Sequence, residues 1–246
     1  MDTKMVIFSC GRDCAEYVDK HLDSIQGQTF QDFTHIIVDD CSSDNRLFRI
    51  LKTRATDHTI IHKNKDNQRW LKNSVDHLIP VLYGPEIVVV VDLDDWLSDI
   101  RVLSKISDVY EDPTVQLTFG SYVKSTGVKK KPTKEEVRNV FYSKNHRKSG
   151  WVYSHLKTFK ASLFKAIDVN TYFKGPSEEW IPCGYDRAIM YPLIDMCGIE
   201  NTRYIQDCLY VYNISATNSV HKIYKPDQAK YKKVIAEKPT AARIIP

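Results

Sequence analysis

The chain predicts an α/β fold, a mixed, mainly parallel sheet flanked by helices, and three observations lead there. Short β-branched runs alternate with segments of helical periodicity through the N-terminal part of the chain. One run, Ile87-Val88-Val89-Val90-Val91, is apolar without alternation, as suits a strand buried on both faces. Two of the runs end in acidic clusters, Asp39-Asp40 and Asp92-Leu93-Asp94-Asp95, and open α/β sheets bind ligands at the carboxyl ends of their strands.

Taken in order, Met5–Cys10 is strand-like, and Ala15, Val18, Leu22 and Ile25 then recur at helical spacing among charged residues. His35–Asp40 reads as a second strand. A helix with Leu47, Ile50 and Leu51 inward follows, then a strand at Thr59–His62. A helical stretch from about Gln68 to Leu82 leads into the strand Glu86–Asp92, and Leu103, Ile106 and Tyr110 mark the next helix. Gln116–Val123 alternates like a half-exposed strand. The basic stretch Lys124–Lys148, centred on Lys129-Lys130-Lys131, reads as a solvated loop. Ser162–Ile167 and Asp186–Cys197 read as helices, and Leu209–Ile214 as a strand. From Lys222 onward the chain is lysine-rich with Pro226, Pro239 and Pro246, which predicts a helix and then a loose tail.

Composition removes several classes of function. Hydrophobic residues at 42% and charged residues at 27% are ordinary for a globular protein and exclude disordered, collagen-like or coiled-coil chains. The net charge of +4 is small for a duplex binder, so no nucleic-acid partner is expected. The longest aliphatic run, Ile87 to Val91, falls far short of the ~20 residues that span a bilayer. Met1-Asp2-Thr3-Lys4-Met5 lacks the apolar region of a signal peptide, so any membrane contact would be peripheral, through the basic segments. Cys10, Cys14, Cys41, Cys183, Cys197 and Cys208 lack the pairing of a zinc site and are expected to be reduced thiols of a cytoplasmic protein.

The acidic cluster carries the most information. Three aspartates in four positions, Asp92, Asp94 and Asp95, repel one another, and a structural role would need only one carboxylate. As hard oxygen donors at a strand end they suit Mg²⁺ or Mn²⁺, which in turn can hold a diphosphate. The plainer alternative is that Asp94 or Asp95 caps a helix beginning near Ser98. Asp40 would sit on the same sheet edge, where a carboxylate can accept from a base N–H or a ribose hydroxyl, while Ser42, Ser43 and Asp44 suit a turn and a helix cap.

Several segments carry a family resemblance by their joint order. These are the N-terminal strand, Gln28-Thr29-Phe30-Gln31-Asp32-Phe33, Ile37-Val38-Asp39-Asp40-Cys41-Ser42-Ser43-Asp44 and Val91-Asp92-Leu93-Asp94-Asp95-Trp96. Together they resemble the nucleotide-binding half of family 2 glycosyltransferases of the GT-A (Rossmann-like) fold, well over residues 5–110 and more loosely over 150–221. The resemblance implies that Asp40 contacts uracil, that Asp92 and Asp94 hold ribose and the metal–diphosphate, and that Asp95, with Asp94, binds the metal. Ser9 or Cys10 would lie near the base, although Cys10-Gly11-Arg12-Asp13 departs from the commoner Thr/Ser-Tyr-Asn type of segment.

An inverting transfer also needs a general base for the acceptor hydroxyl. The resemblance of Gly184-Tyr185-Asp186-Arg187 to the family's acidic helix start implies Asp186 in that role. A plain cap pairing with Arg187 is the alternative. Ser154-His155-Leu156-Lys157-Thr158-Phe159 resembles the segment lining the sugar pocket, which brings in His155, and Trp180 could stack on a sugar face or lie in the core. Asn218-Ser219-Val220-His221 resembles the segment that closes over the diphosphate and implies His221 as a further metal or phosphate contact. Arg69 and Lys72 could neutralise phosphate or touch the base.

The expectation is one domain over residues 1–221, with about 1–110 as the nucleotide-binding half and 111–221 as the acceptor-side half, and a basic helix or tail at 222–246. Its activity would be metal-dependent inverting transfer from a UDP-sugar, with Mn²⁺ or Mg²⁺, to a hydroxyl of a glycan or glycoconjugate. The rivals are a non-catalytic nucleotide- or glycan-binding module, and a sugar-nucleotidyltransferase. Gly11-Arg12-Asp13-Cys14 argues against the latter, because it is not a Gly-rich basic phosphate loop.

Overall fold

The computed structural model describes residues 4–143, 145–215 and 225–245. The uninterrupted apolar runs form its centre. Strand β1 (Met5–Gly11) pairs in parallel with β2 (Phe33–Asp39) and β4 (Ile87–Val90), and β2 pairs in parallel with β3 (Thr59–Lys63). Gly11 stands opposite Asp39 and Phe8 opposite Val90, so Cys10, Asp40 and the residues after Val90 emerge at one edge.

The remaining strands are β5 (Trp96–Leu97), β6 (Leu117–Lys124), β7 (Lys129–Lys130), β8 (Ser154–Lys160) and β9 (Thr202–Tyr212). The sheet order is β3-β2-β1-β4-β8-β6-β9-β5, with β7 attached to β6. Strand β8 runs antiparallel between β4 and β6 and places Lys157 opposite Val90. The fold is α/β with a mixed sheet, as the alternation predicts.

Helices cover both faces: α1 (Val18–Gln26), α2 (Arg46–Arg54), α3 (Arg69–Asn73), α4 (Val102–Tyr110), α5 (Lys134–Phe141), α6 (Ala161–Lys165), α7 (Val169–Phe173), α8 (Tyr185–Cys197) and α9 (Lys225–Ala236). Strand β4 divides its side chains between two cores. Val88 and Val90 pack with Phe8, Trp70, Phe159 and the inward face of α8, whereas Ile87 and Val89 pack with Met5, Ile7, Leu103 and Ile106. Each fully buried aliphatic side chain of this kind contributes about 1.5–3 kcal/mol, so the strand anchors both layers.

Two expectations are corrected and a third is refined. The basic stretch 124–148 is not a loop. It holds a β6–β7 hairpin and α5, whose N-terminus is closed by a capping box between Thr133 and Glu136. The stretch Gln68–Leu82 is helical as expected, but its pitch changes: after α3 it widens to a π-helical turn over Ser74–Leu78 and tightens to a 3-10 turn over Ile79–Val81, where Pro80 cannot continue an α-helical ladder. The tail after α9 is docked rather than loose. Arg147 donates to the carbonyls of Lys238 and Pro239, and Ile244 N donates to the Met196 carbonyl at 3.0 Å. Asp195 anchors this contact by accepting from Ala241 N and pairing with Arg147 and His146.

Among the described residues all six cysteines are free thiols, and no helix is long and apolar enough to cross a membrane.

Candidate active site

The site grows from the turn after β4. Asp95 N donates to the Asp92 carbonyl at 3.0 Å and folds the acidic segment back on itself. The three carboxylates then take different positions. Asp95 is buried, its Oδ2 accepting from the Tyr210 hydroxyl at 2.6 Å and its Oδ1 from Asn213 N at 2.7 Å. Asp92 is half-buried, and both of its oxygens lie 2.7 Å from the Tyr185 hydroxyl. Asp94 is half-buried and has no ion pair among the described residues.

Burial acts on all three, and repulsion from neighbouring carboxylates adds to it at Asp92 and Asp95. Burial first, then Asp94, pushes Asp92 up to about 7. Asp94 is also raised, mainly by burial, and Asp95 is raised by burial and by its two neighbours. The turn sits this close to β1 because Gly11 has no side chain: a Cβ there would lie 2.7 Å from Leu93 Cβ.

The opposite wall is the start of α8. Gly184 takes a left-handed conformation (φ 79°) at the N-cap and turns Tyr185 and Asp186 toward the strand ends. The Tyr185 ring stacks on Trp70 at 4.4 Å between centroids with 9° between planes. Asp186 Oδ1 lies 2.5 Å from Nζ of Lys157, whose side chain is 1% exposed while that of Asp186 is 35% exposed. The contact is a close ion pair rather than an aligned hydrogen bond, since Oδ1 has no partner on hydrogen-bond geometry. Burial would raise Asp186, but Lys157, His155 and Arg187 together hold it below the usual carboxylate range. Arg187 itself turns away, its guanidinium 4.4 Å above Trp151, so Asp186 pairs with Lys157 and not with Arg187.

Other predicted residues fall on both sides of a dividing line. Cys10 reaches the strand-end edge, where Asn73 Nδ2 donates to its sulfur at 3.2 Å and burial, Asp40 and Asp92 push its thiol upward. His155 stacks on Tyr210 at 4.3 Å and accepts from Lys157 Nζ at 3.1 Å, with burial the main cause that lowers it to about 3. Ser9 is not brought to the cleft. It is fully buried, and its hydroxyl bonds His35 Nε2 at 2.9 Å.

Asp40 is at the edge but is already engaged, accepting from Asn64 Nδ2, Gln68 N and Arg69 N at 2.8 Å each. It fixes the loop that enters α3, where Arg69 has φ 65°. Its neighbour Asp39 accepts from Ser42 N through Oδ1, and its buried Oδ2 has no partner. Lys72 pairs with Asp76 at 2.6 Å. Trp180 lies under two ammonium groups, Lys174 at 3.6 Å and Lys72 at 5.6 Å from its ring centre. His221 lies outside the described residues.

Four residues of the site were not singled out from the sequence: Lys157, Tyr185, Tyr210 and Trp70. A lysine within the segment Leu156–Phe159 is the one sequence signal among them, because a charge in an apolar strand requires a partner.

Among the described residues no group of three or more His, Cys, Asp or Glu side chains has a metal-binding arrangement. The donor chemistry still fits a hard cation. Mg²⁺-type sites use one or two carboxylates with substrate phosphate and water completing the shell, and Asp94 and Asp92 supply two. Asp95 fits less well, since it is fully buried with a separate donor on each oxygen, whereas Asp92 is half-buried and the single Tyr185 hydroxyl can donate to only one of its oxygens at a time.

The profile of "Glycosyl transferase family 2" matches residues 5–171, more than half of the chain. The chain belongs to glycosyl transferase family 2. No curated protein matches it in sequence. In structure this family 2 chain is similar to S. aureus TarS, with a TM-score of 0.62 and 16% identity over 87% of this chain and 37% of that one. It is similar to S. aureus TarS 1–349 in complex with UDP-GlcNAc, with a TM-score of 0.61 and 16% identity over 96% of this chain and 67% of that one. Mannosyltransferase PcManGT from Pyrobaculum calidifontis, in complex with GDP-Man and Mn²⁺, gives 0.61 and 15% over 96% and 65%. The chain thus spans little more than a third of the full TarS chain. These likenesses establish the GT-A fold.

Proposed function

We propose that this family 2 protein is a metal-dependent, inverting glycosyltransferase that moves a sugar from a UDP-sugar to a hydroxyl of a glycan or glycoconjugate. One observation supports the reading above the others. The acidic turn after β4 and Asp186 at the start of α8 face one cleft and are tied together through Tyr185, Asp92 and Lys157.

Asp94 and Asp92 would hold Mn²⁺ or Mg²⁺, which supplies charge neutralisation for the leaving diphosphate. The buried, mutually repelling carboxylates described above make that exchange favourable. Asp39, with its unpaired Oδ2, takes the base-recognition role first expected of Asp40. Asp186 accepts the proton of the acceptor hydroxyl as that oxygen attacks the anomeric carbon from the face opposite the diphosphate, which inverts the configuration. A carboxylate held ionised is a weak base toward a free alcohol, but the hydroxyl acidifies as its bond to carbon forms, so transfer of the proton falls late in the step. UDP as the nucleotide is supported by the TarS complex with UDP-GlcNAc on the same fold.

A thermal-shift series with UDP, UDP-GlcNAc and GDP-mannose, each with and without Mn²⁺, tests this reading, because a ligand bound only to the folded state raises the melting temperature by mass action. Stabilisation by the UDP ligands that requires Mn²⁺ is expected. Equal stabilisation without metal would overturn the cation, and a response to GDP-mannose alone would overturn the donor.

A further inference from the structure

Lys157 is a lysine inside a sheet. It sits on β8 between β4 and β6, opposite Val90, with its side chain 1% exposed. Taking an ammonium group out of water costs several kcal/mol unless it is paired and hydrogen-bonded, so its partners define what it does. They are Asp186 Oδ1 at 2.5 Å and His155 Nδ1 at 3.1 Å, with the Tyr185 ring centre 5.7 Å away. Two of the three also pack on the hydrophobic layers, Tyr185 on Trp70 and His155 on Tyr210, which leaves Asp186 as the partner whose contact with Lys157 is purely ionic.

The pair is lopsided. Asp186 Oδ1 is sealed against Lys157, yet the Asp186 side chain keeps 35% of its exposure. The accessible part of the carboxylate is therefore the side bearing Oδ2. Resting on the reading of Asp186 as general base, we propose that Lys157 is its positioning residue, gripping Oδ1 from within the sheet so that Oδ2 is presented to the acceptor hydroxyl. Lys157 touches neither donor nor acceptor in this scheme. The charged and titratable groups facing Asp186 are Lys157 and His155 from β8, Tyr185 and Arg187 from its own helix, and Asp92 from the turn after β4. Lys157 is the one that contacts the carboxylate at ion-pair distance.

The test measures UDP release from UDP-glucose, UDP-galactose and UDP-N-acetylglucosamine in Mn²⁺ with water as acceptor, alongside calorimetric UDP binding. Lys157→Met should lower kcat about 100-fold, as a small misplacement of a catalytic group does, while UDP affinity stays within about threefold. In an Asp186→Asn background the same substitution should cost nothing further, since residues acting as a unit are not additive.

A kcat for Lys157→Met within about threefold of wild type, or a full loss repeated in the Asp186→Asn background, would overturn the inference. If Lys157→Met is insoluble, Lys157→Gln, which keeps a donor without the charge, carries the same expectation. Asp186→Asn with undiminished release would remove the base and this inference together. Loss in Asp186→Asn without loss in Lys157→Met would remove this inference alone. A wild type that releases UDP from none of the three donors would remove the proposed function and, with it, the role of Lys157.

Discussion

The Tyr185 hydroxyl lies 2.7 Å from both carboxylate oxygens of Asp92, joining the first turn of α8 to the end of β4 across 93 positions of sequence. One phenol thus holds the two walls of the cleft at a fixed separation, while its ring is held flat against Trp70. Tyr185→Phe keeps the stack and removes only the hydroxyl. Above about pH 8, where Asp92 is largely ionised, it should lower stability by about 1.5–3 kcal/mol, the usual range for a hydrogen bond to a charged group. Urea unfolding midpoints measure this, and an unchanged midpoint would show that the contact does not hold the cleft.

Asp94 and Asp95 are adjacent in sequence but have separate tasks. Asp95→Ala leaves the Tyr210 hydroxyl and Asn213 N–H without their acceptor and should destabilise the fold by about 3 kcal/mol. Asp94→Ala should leave thermal stability within about 0.5 kcal/mol of wild type, because its carboxylate has no ion pair among the described residues. It should nevertheless weaken Mn²⁺-supported UDP binding at least about tenfold, a loss near 1.4 kcal/mol. The reverse pattern, a stable Asp95→Ala and an Asp94→Ala that unfolds, would reject this division.

Beneath the acidic turn His21 and His35 are fully buried, with His21 Nδ1 donating to the Asp95 carbonyl at 2.8 Å. Burial lowers His21 to about 4 and His35 well below its ordinary value. A histidine depressed in this way takes up its proton on unfolding, so its share of stability is intact above 6.5 and is lost as pH falls toward 4. The loss is about 1.4 kcal/mol per pH unit for each such group. Asp92, raised to about 7, works in the opposite sense over part of this window, so the histidines are read by proton NMR rather than from overall stability. The His21 ring should stay neutral until near pH 4, and titration near 6.5 would contradict its burial.

Asp195 and Arg147, each 4% exposed, clamp the chain after α9 onto α8. Burial alone would raise Asp195, yet His146, Ala241 N and Arg147 hold it below its ordinary value. Asp195→Ala strands a buried guanidinium and should cost about 3–5 kcal/mol. Hydrogen exchange at Ala241, Ile244 and Ile245 should rise with it, and unchanged protection there would show that the tail is held by other contacts.

Much of the fold was legible because β1, β2 and β4 are buried on both faces and therefore read as continuous apolar runs, and because their aspartates mark the ligand edge. Strand β8 was not legible as a strand. Its alternation is broken by His155, Lys157 and Thr158, polar residues accommodated by Tyr210, Asp186 and Thr118 on other elements. In the basic stretch, Thr133 and Glu136 had the spacing of a capping box, but the surrounding lysines favoured a loop reading. Which aspartate faces the cleft was beyond the sequence for a different reason. Tyr210 and Asn213 lie 115 and 118 positions from Asp95, and only the folded sheet brings them to it.

The central claim is that Asp186 removes the acceptor proton in a UDP-sugar transfer at this cleft. UDP release by wild type and Asp186→Asn in Mn²⁺, with UDP affinity measured on the same samples, tests it most directly. The account predicts a loss of release of at least about 100-fold in Asp186→Asn, the contribution of a positioned general base, with UDP affinity essentially unchanged. Release within about threefold of wild type would contradict it, since a base whose removal leaves the barrier in place is not the base.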